Sequence, residues 1–449
     1  MDGFRDDSGL FGISGHRRAA QLAATALYGL RHRGESGCGL ICSDGHLLTA
    51  RQAPGTGRDL FGESDPLRGD MAVAQVYGGP VSATGMPMLA RYQHGQLGLA
   101  MSGRFTNGAA LRVKMKQDGA LFTSLSDAEL LLQRVAASQQ KTLVNRLVDA
   151  LLTVEGSFCL LLCSEDRLIA LRDPRGFRPL LLGRVDGATV FCSEDGPLRE
   201  IGGEVIREVR AGEMVVVDQN EMVSVSPFPK RDGSRCIHEF VRVARSNAVV
   251  LGQAVYPVRT ALGERLAKEQ PCVAAEVVVG LPGEGVAVAL GFARGARIDY
   301  FEGLVADDDG WTTIPAVVAD KRVALVLQSL VTGEEATKAV AALRRAGASE
   351  VHVRVASPPV RHGCRYGVSS PTDEEMVSHR IDSRDALGHL LEAASVGFLS
   401  IDGLMSIVGR RVDGTPTHCA GCFTGTWPVE IKEPEADQLG LFDSNAPST

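Results

Sequence analysis

Ten cysteines carry the densest potential chemistry in this 449-residue chain, and they fall into two groups. Cys38, Cys42, Cys159, Cys163, Cys192 and Cys272 stand in short apolar or glycine-rich stretches, where a thiol serves as a small buried hydrophobe. Cys236, Cys364, Cys419 and Cys422 stand apart, the last two as a Cys-x-x-Cys pair. Structural disulfides are rare in an intracellular chain of this size, so grouped cysteines point to metal binding or catalysis.

The elements that must position them differ between the two halves. The first half reads as short strands punctuated by Gly and Asp, such as SFCLLLC (157–163) and GATVFCS (187–193), with two helices. Residues 17–30 repeat apolar side chains at three- and four-residue spacing. Residues 126–138 start at Ser126 as N-cap, with Glu129 placed to complete a capping box. The polar stretch 227–235 is the expected linker. The second half changes rhythm: VAAEVVVGL (273–281), KRVALVLQS (321–329) and SEVHVRVAS (349–357) are continuous apolar runs, separated by helical patterns such as 334–347. Such runs predict buried parallel strands in a doubly wound α/β sheet.

Composition excludes several function classes. Hydrophobic residues make up 44% of the chain, which supports packed cores rather than disorder. The 47 basic and 54 acidic side chains leave a net charge of −7, so nucleic acid and anionic membranes are not expected partners. No apolar run approaches the roughly 20 residues a membrane span needs. The opening MDGFRDDSG is too acidic for a secretory signal, and a cytoplasmic location is expected.

Seven segments together resemble the glutamine phosphoribosylpyrophosphate amidotransferases, the family that opens the purine pathway: SGLFGI (8–13), YGLRHRGESGCGL (28–40), LSDAELL (125–131), RDPRGFRPLLLG (172–183), AGEMVVVD (211–218), AGASEVHVRVASPP (346–359) and HCAGCFTGTWPVE (418–430). The resemblance implies an α+β N-terminal-nucleophile hydrolase domain, an αββα sandwich, followed by an α/β phosphoribosyltransferase-type domain with a parallel sheet. The expected organisation is a propeptide-like segment 1–7, a type-2 glutamine amidotransferase domain 8–232, a phosphoribosyltransferase-like domain 233–430 and an acidic, polar tail 431–449.

The resemblance places Ser8 at the position of the family's N-terminal cysteine nucleophile, whose free α-amine acts as base. Arg33, Gly103 and Asp127 match substrate-binding positions. Other positions depart from the pattern. The strand motif HVRYSTAG reads QVYGGPVS (75–82), so Tyr77 replaces the arginine that grips the glutamine carboxylate. The oxyanion motif HNGNL reads Met101-Ser102-Gly103-Arg104-Phe105, with Ser102 in place of the asparagine donor. Losing one such donor typically costs about 100- to 1000-fold in rate.

The phosphoribosyl motif VLVDDSIVRGTT reads ALVLQSLVTGEE (324–335). Leu327 and Gln328 replace the acid pair that would hold the ribose, so magnesium is not expected. Glu334 and Glu335 replace the two threonines of the phosphate cradle. Their charges suit the start of a helix but oppose a phosphate. VPDSG becomes Leu281-Pro282-Gly283-Glu284-Gly285, and ARPDS becomes Ala244-Arg245-Ser246-Asn247. The lid, 303–320, carries Asp307, Asp308 and Asp309 and has no Lys or Arg.

One branch of the family carries a 4Fe-4S cluster, and Cys236, Cys364, Cys419 and Cys422 match its four ligand positions. Zinc is the rival occupant of the same tetrad. His362 and His418, which flank the ligands, are expected to be exposed or supporting rather than ligating. In RDPRGFRPL (172–180), Arg172, Asp173 and Arg178 are expected to form a buried ion network. The resulting expectation is an amidophosphoribosyltransferase homologue without catalysis, keeping its cluster and acting as a regulatory or scaffold protein. It is expected to form a homo-oligomer or to pair with a genuine amidophosphoribosyltransferase. The alternative is an active enzyme using Ser8.

Overall fold

The computed structural model describes residues 4–6, 8–55, 60, 67–78, 86–218, 221–283, 285–307, 310–410, 413–414 and 417–431. Glu284, Asp308, Asp309, most of the tail and parts of the propeptide-like segment lie outside them. The chain divides into two compact units. One gathers 6–233 with 365–368 and 428–431; the other gathers 234–364 and 369–427 with residues 4–5.

In the first unit, alternating apolar strands build two antiparallel sheets. The seven-stranded sheet runs Glu204–Glu208, Leu181–Val185, Ala188–Cys192, Ser8–Ser14, Met71–Tyr77, Gly37–Ser43, Leu48–Pro54. The six-stranded sheet runs Glu221–Val225, Met214–Asp218, Arg167–Arg172, Gly156–Cys163, Gly95–Phe105, Met88–Tyr92. Leu10, Ile41 and Val73 from the first sheet bury against Leu161, Leu168 and Val215 from the second. The helix Ala19–Gly29 covers the outer face of one sheet, and Asp127–Ala137 and Leu143–Leu151 cover the other. The result is an αββα sandwich. The six cysteines read as apolar filling are all buried.

Two local expectations are corrected. The first helix starts at Ala19, because Arg18 has left helical geometry and its N–H donates to His16 Nδ1 at 3.0 Å. Ser126 does cap its helix, accepting from the Ala128 N–H, but Glu129 does not close a capping box. Its carboxylate instead accepts from the backbone N–H and hydroxyl groups of Thr123 and Ser124, at 2.7–2.8 Å. Those four donors order the loop ahead of the helix and leave the glutamate no reason to turn back.

The second unit holds a parallel sheet in the order Val277–Gly280, Arg322–Leu327, Glu350–Val355, Ser395–Phe398. Its valine-rich interior is buried beneath Ala336, Ala339, Val340 and Leu343 of the helix Glu334–Arg345. Within the expected lid, Leu304–Asp307 pairs antiparallel with Gly310–Thr313.

Candidate functional site

Ser8 opens its strand directly opposite Tyr77, and Tyr77 lies opposite Gly37 on its other side. The Tyr77 ring lies across Gly37 so closely that a Cβ there would fall 2.3 Å from the phenol oxygen. Burial raises the Tyr77 pKa, so this position offers a neutral phenol where an arginine would offer a cation. Ser102 Oγ lies 3.4 Å from the Ser8 carbonyl oxygen, to which it donates. Gly103 follows with φ +108°, and a side chain there would collide with the Ser157 carbonyl. Ser8, Tyr77, Ser102 and Gly103 are thus brought together.

Arg33 and Asp127 are drawn into internal roles. The Asp127 carboxylate accepts from the Phe105 N–H at 2.8 Å, and burial raises its pKa despite that bond. Arg33 is 1% exposed and donates from Nε to Glu194 at 2.7 Å. Its other face pairs with Asp6, whose second oxygen pairs with Arg178. Burial alone would raise the Glu194 pKa, but Arg33 and His32 hold it at about 2. Two buried guanidiniums therefore share Asp6, a residue two places ahead of Ser8.

The 172–180 segment is buried, with partners other than those expected. Arg172 donates to the Val209 and Gly176 carbonyls and lies 3.4 Å from Glu208. Asp173 accepts from the N–H groups of Arg175 and Phe177. Arg178 reaches Asp6 and the Gly367 carbonyl. Burial pushes the Asp173 pKa up to about 6 against the pull of Arg172, so those two charges remain coupled, while Arg178 is matched by Asp6.

In the second unit, the inner strand Arg322–Leu327 ends in Leu327, which is 2% exposed, followed by Gln328, which is 8% exposed. Gln328 Oε1 is buried without a hydrogen bond. The loop then turns through Gly333 at φ +90° into the helix that starts with Glu334 and Glu335. Arg242 reaches this loop, 3.6 Å from the Glu335 carboxylate and 3.2 Å from Ser329 Oγ. The fully buried Arg259 holds the segment behind it, donating to the Phe240 and Ala244 carbonyls and to Ser246.

All four candidate metal-ligating cysteines lie in this unit. Cys236 pairs in register with Cys419 along a short parallel bridge. The Arg361 and His362 N–H groups donate to the Cys422 carbonyl, bringing in the segment that carries Cys364. Burial, then the charges of Cys419, Cys236 and Cys364, push the Cys422 thiol far above its usual range. The three other cysteines all act on Cys422, and the four thiols form a soft donor set, which fits an iron–sulfur cluster or zinc. Only a strongly positive centre would let all four ionise together.

His238 stands beside this set, at a position that no sequence motif marks. Its Nε2 lies 3.1 Å from Cys422 Sγ, and its ring stacks between Phe4 and Phe423 at 4.5 and 5.2 Å. Phe4 itself is 1% exposed. His418 is also buried, and that burial followed by Arg235 pulls its pKa down to about 4.

Comparison with known proteins gives this geometry its family. A model of the glutamine amidotransferase domain matches residues 81–200. The solved glutamine phosphoribosylpyrophosphate amidotransferase from B. subtilis, complexed with ADP and GMP, superposes with a TM-score of 0.90 at 32% identity, covering 94% of this chain and 98% of that one. The fold is therefore an N-terminal-nucleophile amidotransferase domain joined to a phosphoribosyltransferase domain. Amidophosphoribosyltransferase 1, chloroplastic, from Arabidopsis thaliana is 35% identical, covering 97% of this chain and 81% of its own. The Bacillus subtilis (strain 168) amidophosphoribosyltransferase is 33% identical over 96% of both. This chain belongs to the amidophosphoribosyltransferase family. Among the described residues, no helix is long and apolar enough to cross a membrane.

Proposed function

We propose that this chain is a non-catalytic member of its family that keeps a 4Fe-4S cluster on Cys236, Cys364, Cys419 and Cys422 and works through protein contacts. Its partners would be further copies of itself or a genuine amidophosphoribosyltransferase. The observation that carries this reading is the phosphate cradle. Glu334 and Glu335 occupy the first turn of its helix, and Arg242, the cation that reaches the loop, is paired to Glu335. With Glu335 matched by Arg242, the exposed Glu334 is the remaining charge, and a phosphate about 5 Å from it meets a repulsion of at most about 3 kcal/mol at an effective dielectric near 20, lowered further by solvent. Leu327 and Gln328 add no acid for the ribose hydroxyls or for magnesium.

The packing of the N-terminal segment favours an uncut chain and so supports the same reading. Cutting before Ser8 would remove Asp6 from between Arg33 and Arg178 and Phe4 from the His238 ring. An uncut chain has no free amine at Ser8 to act as base.

Calorimetry with phosphoribosyl pyrophosphate and magnesium is expected to show no binding, and the gene is expected not to rescue a purine auxotroph that lacks its own amidotransferase. Tight magnesium-assisted binding, or rescue, would overturn the reading. The second reading, an active enzyme with Ser8 as nucleophile, is favoured by the closeness of Ser8, Ser102 and Gly103. Intact mass decides between them at low cost, since that enzyme must begin at Ser8. Iron, sulfide and zinc counts on anaerobically purified protein separate the cluster from a zinc tetrad.

A further inference from the structure

His362, Asp373 and His379 each present a ligand atom, and all three atoms lie within 4.8 Å of one another. None of the three is among the cysteine tetrad. Their separation in sequence hides them, since Asp373 opens a short 3-10 helix and His379 lies in the next helical turn, Val377–Arg380.

Three details of the geometry suit a metal. His379 Nδ1 sits 3.0 Å from the Arg361 carbonyl oxygen. A carbonyl can only accept, so Nδ1 carries the proton and Nε2 keeps its lone pair. Anchoring one ring nitrogen on a backbone carbonyl is how metal-bound histidines are commonly oriented. Second, His362 Nδ1 and Asp373 Oδ2 stand 3.4 Å apart. Two ligands bonded at about 2.1 Å to one tetrahedral zinc are separated by about 3.4 Å. Third, the Asp373 carboxylate is fixed by the Gly363 N–H, which donates to Oδ1 at 2.6 Å and leaves Oδ2 facing the histidines. The His362 ring is braced edge-on by Trp427, with centroids 5.7 Å apart.

We propose that His362, Asp373 and His379 form a second, mononuclear site for a zinc-class divalent cation. Two imidazoles and a carboxylate suit such ions, and the fourth position opens to solvent. This revises the expectation for His362 from a supporting residue to a ligand. Because Asp373 and His362 also hold residues 361–363, the ion would stiffen the segment that delivers Cys364.

The test is titration of the full-length, anaerobically purified protein with cobalt(II), followed by displacement with zinc. One equivalent is expected to bind with ligand-field absorption and without a sulfur-to-cobalt charge-transfer band. His379→Ala changes an exposed side chain and is expected to weaken that binding by more than ~100-fold, beyond the loss typical of a supporting residue. Asp373→Asn, which preserves shape, should weaken it similarly. In both variants iron and sulfide content should match the parent, which shows that the fold and the tetrad survive. Absence of binding, a spectrum dominated by sulfur charge transfer, or affinity that neither substitution changes would overturn the proposal.

Discussion

Two regions of this molecule treat charge in opposite ways. Around Arg33, every cation has been matched from within: Asp6 lies between two guanidiniums, and Glu194 serves both Arg33 and His32. Around Cys422, burial and three neighbouring cysteines raise the thiol's cost of ionisation, a cost that a bound cation would relieve. The first region is complete as a polypeptide; under the proposed function the second would be completed by a cofactor. The contrast teaches where to look for a ligand: charges already matched by their own neighbours offer one little, whereas a gathered thiol set can still take a metal.

The largest expected effect breaks the cofactor side of that contrast. Cys422→Ser should abolish iron and sulfide together and lower thermal stability, because one missing thiolate leaves the remaining three unable to hold the group. Metal counts and a melting curve check this, and full retention of iron would sink the cluster assignment.

Next comes the self-satisfied side. Asp6→Asn leaves Arg33 and Arg178 buried without their shared counter-charge, and breaking a buried pair from one side costs about 3–5 kcal/mol. Urea unfolding measures it; a loss below ~1 kcal/mol would show that water reaches the pair.

Glu194→Gln sharpens the comparison through pH. A carboxylate lowered from 4.5 to about 2 contributes stability that is present above pH 4.5 and is lost as pH falls through 2. The parent should therefore exceed the variant by on the order of 3 kcal/mol at pH 7. The gap should shrink steadily on acidification from pH 4.5 toward 2, whereas a gap that widened there would contradict the ion-pair assignment.

Much of the architecture was legible in the sequence because burial leaves a local imprint. Val-rich runs marked the strands Val277–Gly280, Arg322–Leu327 and Glu350–Val355, which are covered on both faces. The fourth strand, Ser395–Phe398, was not legible: four residues including a serine and a glycine carry too little apolar periodicity to register. The cysteine tetrad was legible only through family resemblance, since spacing alone marks the 419–422 pair and not its distant companions. Asp6 gave no signal at all. Its partners lie 27 and 172 residues away, and nothing local distinguishes a carboxylate destined for two buried arginines from one left in water. Arg242 and His238 escaped for the same reason: each acts on residues that only the fold brings near.

Asp6 also bears on how this lineage can evolve. Freeing an amine at residue 8 takes a cut that also discards the counter-ion shared by two internal arginines. A lineage that works from a mature Ser8 therefore has to supply another carboxylate to positions 33 and 178, whereas an uncut one keeps the pairing it has.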